Sequence, residues 1–187
     1  MKFTNTLRIA VLAIAGLAQA LSDGFYEGTT FSNGTMSVKQ LGATEAKRFT
    51  IEPPSGWEGT LQERDLVEGE AASRLGKRFV DCWGNALDHS GTDSAVQDWK
   101  NHVGANGQHY LESGNSPNWV GYIREAVLVY YCINAPHSSG SLDLVDINYA
   151  LSQMDAVCVR YTASYFRWDG SVEIFGKVQQ GVPICLG

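Results

Sequence analysis

Cysteine is absent from the first 81 of the 187 residues; all four in the chain, Cys82, Cys132, Cys158 and Cys185, come after that point. Nor do they come in close pairs. The intervening stretches are 49, 25 and 26 residues, so the Cys-x2-Cys spacing usual for zinc is missing, and no metal or other cofactor is expected. No apolar run reaches the roughly 20 residues of a membrane-spanning helix: Ile9 to Leu21 falls short and Ala126 to Ala135 is strand-length. Basic residues are scarce in the second half. From Phe79 to Gly187 eight Asp and three Glu face two Lys and three Arg, 11 against 5, a net of −6. Such a segment gains nothing from the phosphate electrostatics that dominate nucleic-acid binding and is not drawn to anionic lipid. Two catalytic signatures are also missing. Glu112-Ser113-Gly114-Asn115-Ser116 is not a Gly-x-Ser-x-Gly elbow, and Gly104-Ala105-Asn106-Gly107 lacks the Lys and Ser/Thr of a phosphate loop.

What is present begins with a leader. Lys2 and Arg8 supply positive charge, Ile9 to Leu17 a short apolar core, and Ala18-Gln19-Ala20 a small-x-small cleavage site. Together these predict a signal peptide over 1–20 and a secreted, extracellular product. A paired-basic site follows at Lys77-Arg78, just after the acidic, small-residue stretch Glu68-Gly69-Glu70-Ala71-Ala72-Ser73. That composition suits an exposed linker open to a protease; a second pair, Lys47-Arg48, sits in a less suitable setting. Cleavage after Arg78 divides the chain into a pro-region over 21–78 and a mature domain over 79–187 that holds every cysteine. Such processing points to a eukaryote, and to a fungus in particular. In an oxidising compartment four cysteines imply two disulfides with three possible connectivities. Cys82 with Cys185 and Cys132 with Cys158 is the expected pairing, closing one long loop and stapling two neighbouring elements.

In the pro-region, Phe25 to Phe31 and Thr35 to Val38 flank Ser32-Asn33-Gly34, a hairpin turn signal. Asn33 also opens the chain's one glycosylation sequon, Asn33-Gly34-Thr35. A segment this small is not expected to fold alone; a spacer, a folding aid and a mask over the mature surface all remain open. In the mature domain a helix is predicted with Thr92 or Asp93 as N-cap and Gly104 as its stop, carrying Ala95, Val96, Trp99 and Val103 on one face. Within Trp119 to Asn134, the run from Ala126 to Ile133 is apolar on both faces and predicts a central strand. A second helix is predicted over about 142–157. Strands over Cys158 to Trp168 and Ser171 to Val178 should join across Asp169-Gly170. The order predicts an α+β fold: a small antiparallel or mixed sheet with two helices on one face, stapled by disulfides.

Certain segments carry a resemblance. Asp81-Cys82-Trp83-Gly84-Asn85-Ala86-Leu87-Asp88-His89, followed by Thr92-Asp93 and a helix, is similar to the openings of small secreted fungal proteins. Val129-Tyr130-Tyr131-Cys132, Cys158-Val159-Arg160-Tyr161 and the Gly-x-x-x-Cys from Gly181 to Cys185 extend it over most of 79–187. The plan resembles the α/β-sandwich killer toxins of smut fungi and the necrosis-inducing effectors of plant-pathogenic fungi. Those families are secreted and disulfide-bonded, and act on competitors or hosts without a shared catalytic set. Killer toxins of that type have more than four cysteines, so neither their disulfide pattern nor any functional residue transfers.

The four histidines, His89, His102, His109 and His137, all lie in the mature domain. His109 and Glu112 with Arg124 are the residue types of a small ribonuclease, which moves protons and stabilises charge at phosphorus. The placement of His109 and Glu112 between Gly104 and Asn118, rich in Gly, Asn and Ser, predicts a flexible loop instead. Asp88, His89 and Asp93 read as helix-capping residues rather than metal ligands. Tyr161, Tyr165, Phe166 and Trp168 read as core rather than a sugar platform, and Trp119 as an anchor for the long strand. The expectation is a non-enzymatic effector or toxin-like protein that binds a component of host or competitor cells through the loops 104–118 and 135–141. A secreted ribonuclease or other hydrolase is the alternative, and a cell-wall or self-signalling protein a third.

Overall fold

The computed structural model describes residues 21–42, 48–53 and 79–186. The leader and the Lys77-Arg78 pair lie outside the described residues. Along the chain run β1 (Gly24–Thr30), β2 (Met36–Leu41), β3 (Arg48–Ile51), β4 (Phe79–Ala86), α1 (His89–Asn106), β5 (Gln108–Glu112), β6 (Asn118–Arg124), β7 (Val127–Ile133), β8 (Ser139–Asp143), α2 (Leu144–Val157), β9 (Thr162–Arg167) and β10 (Glu173–Gln179). Eight strands form one sheet in the order β3-β2-β1-β6-β7-β10-β9-β4, with every neighbouring pair antiparallel. The α+β class with two helices and disulfides is as expected.

Side-chain alternation divides the sheet into two faces. Tyr122, Val129, Phe175 and Phe166 share one face through the registers Tyr122↔Val129, Lys177↔Val129 and Phe175↔Phe166. Both helices lie there. Trp99 of α1 is fully buried against Tyr122 and Phe175 and donates its indole N–H to the Val129 carbonyl at 2.8 Å. Tyr149 of α2 meets Phe166 edge-on. Gly91 lets the start of α1 pass over the β6–β7 turn, since a Cβ there would stand 2.6 Å from the Arg124 carbonyl. The other face carries Trp119, Ile123, Leu128, Tyr130 and Cys132, all buried, and receives the tail through a Cys132–Cys185 disulfide. Every residue of β7 is buried, as expected for a strand covered on both sides.

Three expectations need correction. The bridges are Cys82–Cys158 and Cys132–Cys185, with Cα separations of 5.6 and 6.2 Å, not Cys82–Cys185 and Cys132–Cys158. Cys82 on β4 lies over the end of α2, whereas Cys132 points to the opposite face, so the sheet itself separates Cys132 from Cys158. The first helix starts earlier and ends later than expected. Asp88 is its N-cap, its carboxylate accepting the Gly91 N–H at 2.7 Å, and Gly107 at φ 80° closes it. Thr92 instead hydrogen-bonds the Asp88 carbonyl from within the first turn. Finally, the segments 104–118 and 135–141 are not simply free loops. Part of each is a strand, and β5 pairs with β8 from Gln108↔Asp143 to Glu112↔Ser139.

Residues on both sides of the Lys77-Arg78 pair share the one sheet. β1 pairs with β6 from Gly24↔Ile123 to Thr29↔Asn118. Its partner β2 packs Met36 and Val38 into the core at 1% and 0% exposure.

Candidate functional site

The short sheet β5–β8 stands over the helix-bearing face near β1 and β6. Along β5 the pattern alternates, with His109 and Leu111 turned inward and Gln108, Tyr110 and Glu112 exposed. Spacing alone thus puts Glu112 on the opposite side of its strand from His109. His109 faces α1, where His102 occupies the inner side one turn after Trp99. His102 Nε2 and His109 Nδ1 are 2.9 Å apart, and the Tyr122 hydroxyl lies 3.3 Å from His102 Nδ1. Either neutral tautomer of His102 satisfies both contacts, one ring nitrogen donating and the other accepting. Phe25 of β1 stacks on Tyr122 at 4.5 Å and touches both imidazoles. Burial depresses the pKa of both histidines, and the neighbouring His102 depresses His109 further. Burial likewise raises Tyr122. Burial thus disfavours the charged form of each ring in the cluster.

Arg124 sits on the same sheet face as Tyr122, but its guanidinium serves Asp98 of α1 at 2.6 Å, with Asp23 at 3.9 Å. His109, Glu112 and Arg124 therefore do not converge: Glu112 lies beside Asn118 at one end of β6 and Arg124 stands at the other. His89 stacks on Tyr161, which donates to Asp93, and His137 sits in the turn before β8 at φ 52°. Asp88 is a cap, and no cluster of potential metal ligands occurs among the described residues. Trp119 is an anchor at 1% exposure; Phe166 is core, Tyr165 and Trp168 pack half-buried against it, and Tyr161 lies outside the core, contrary to expectation. Asn33 is exposed at the tip of the β1–β2 turn, its amide oxygen accepting the Thr35 N–H.

Beyond the histidine cluster, the same face opens into a polar cavity of about 340 Å³. Glu27, Thr29, Ser37, Lys39 and Arg48 line its sheet side and Leu111 and Glu112 its β5 side. Lys39 pairs with Glu27 at 2.9 Å, and Thr29 donates to the Asn118 side chain at 2.9 Å. Carboxylates, cations, hydroxyls and an amide together offer both donors and acceptors to a polar ligand. The alternation of Phe25, Glu27 and Thr29 signals a shared face, but not the register that brings β1 beside β6. The β1–β3 side of this cavity was missed in the sequence for that reason.

No family model, curated protein or solved structure matches this chain.

Elsewhere, Glu173 ties β8 to the main sheet by accepting from the Tyr131 hydroxyl, the Ser141 N–H and the Ser171 hydroxyl. Gly140 allows this approach, because a Cβ there would overlap the Glu173 carboxylate. Lys177 is buried under α2 at 2% side-chain exposure and reaches Asp155 at 3.0 Å.

Proposed function

We propose that this is a secreted protein, fungal in origin, that acts by binding a component of host or competitor cells and uses the polar cavity between β1–β3 and β5 as its contact site. Two disulfides fit an oxidising compartment, and no described helix is long and apolar enough to cross a membrane. The observation that carries the binding reading is the state of the histidine pair. A ribonuclease needs a general acid and a general base, a histidine pair or His109 with Glu112, converging with an arginine on one phosphate. Here the two rings hydrogen-bond each other, burial disfavours the charged form of both, and Arg124 is engaged by Asp98.

The test applies purified secreted protein to plant tissue, to competing fungi and to the producer's own cells, with RNA hydrolysis measured in parallel. Lesions or growth arrest in one of the first two, abolished by Arg48→Glu, support the reading. RNA turnover that disappears in Glu112→Gln would replace it with the ribonuclease reading. A response confined to the producer's cells would replace it with self-signalling.

A further inference from the structure

The β6 edge is a docking surface for the chain's own N-terminal strands, and its contacts bear on what happens after maturation. β1 adds to β6 through six register pairs, and β2 and β3 follow through six and four. Side chains lock the register. Tyr26 is fully buried. Phe25 stacks on Tyr122. Asp23 accepts the Glu125 N–H at 3.0 Å, and the Thr30 N–H reaches the Pro117 carbonyl at 3.0 Å. Gly28 lies flat against the Trp119 indole, where any Cβ would overlap the ring. Strand addition of this kind combines main-chain hydrogen bonds with side-chain pockets, as bound peptides do on open sheet edges.

We infer that the segment 21–53 stays bound after the chain is cut between Pro53 and Phe79, so that the mature protein is one domain made of two non-covalently joined chains. The inference rests on the maturation reading only for its occurrence in nature; the docking contacts stand without it. Both disulfides lie within 79–186, so non-covalent contacts alone retain the segment. Removing it would strip β6 of its neighbour, expose a row of unpaired backbone groups beside Trp119 and Ile123, and uncover the Tyr122–His102–His109 cluster. It would also take away Glu27, Thr29, Ser37, Lys39 and Arg48, the whole β1–β3 side of the polar cavity. The pro-region is therefore a working part of the proposed binding site, not a mask over it.

The test uses the full chain, secreted, with a sequence-specific endoprotease site replacing residues 72–78. After complete cutting, the two fragments should co-elute on size exclusion at about micromolar concentration and give one native mass equal to their sum. They should part only in denaturant. Separation under native conditions overturns the inference. In a second variant, Gly28→Val should lower the retained fraction at least tenfold after cutting, because the new side chain meets Trp119; unchanged retention overturns the assigned docking geometry. The native protein supplies an independent check through its intact secreted mass. An uncut chain refutes the maturation reading and leaves the fragment result standing. A folded, active product lacking 21–53 refutes the inference itself.

Discussion

Asp155→Asn should destabilise this protein far more than Lys177→Met, although each removes one half of the same ion pair. Lys177 has 2% of its side chain exposed, whereas Asp155 keeps 38%. At their separation of 3.0 Å, an effective dielectric near 20 gives an attraction of about 5 kcal/mol. Water at Asp155 screens part of that, and the loss on removing one partner of a buried pair is about 3 kcal/mol. The asymmetry follows from what remains. Without Asp155 the ammonium is stranded under α2; without Lys177 the carboxylate turns to solvent and the methionine fills apolar space. Lys177→Met should therefore change stability by less than about 1 kcal/mol. In a domain of this size Asp155→Asn should lower the Tm by about 6–12 °C. Urea and thermal unfolding at pH 7 read both, with the buried Trp99 and Trp119 as fluorescent reporters. Equal costs for the two variants, or a cost below about 1 kcal/mol for Asp155→Asn, would refute the argument.

Further outcomes follow from the same contacts. The depressed histidines bind fewer protons folded than unfolded, so their contribution is complete above the unfolded pKa near 6.5 and falls as pH drops below it. Urea titrations between pH 7.5 and 5.5 should show this loss, and His102→Gln should flatten the slope. Non-reducing peptide mapping should recover Cys82–Cys158 and Cys132–Cys185, and replacing either pair by serine should cost about 4 kcal/mol on loop entropy alone. Trp99→Ala should cost about 3–5 kcal/mol in urea unfolding, since it empties the contact between α1 and the sheet and removes the hydrogen bond to the Val129 carbonyl.

Much of the fold could be read locally. The apolar set of the second helix, the continuous hydrophobic run of β7 and the Asp169-Gly170 turn each carry their own signal over a few residues. The β6–β7 turn did not, because Glu125 and Ala126 adopt φ 46° and 64° without the Asn or Gly that advertises such a turn. The start of α1 was misplaced because Asp88, Thr92 and Asp93 are all good caps, and only the Gly91 N–H contact decides among them. The site was the least legible part. His109 was visible as a candidate, but its partners His102 and Phe25 come from a helix and from a strand 84 residues upstream. Composition around Gly104 to Asn118 suggested a loop, yet backbone pairing to β8 overrides that preference. Propensity cannot report a partner that arrives from elsewhere in the chain.

The two bridges interleave along the chain: the first cysteine joins the third and the second joins the fourth. An oxidant acting in order of synthesis meets Cys82 and Cys132 first, and would join two residues that the finished sheet keeps apart. Native pairing thus requires either that oxidation wait for Cys185 or that early bonds be exchanged through mixed disulfides. Where oxidation does not wait, recovery of the native pairs is faster with a thiol-exchange catalyst. In a host without one, the expected yield is a family of covalently scrambled isomers with the same mass as the native chain.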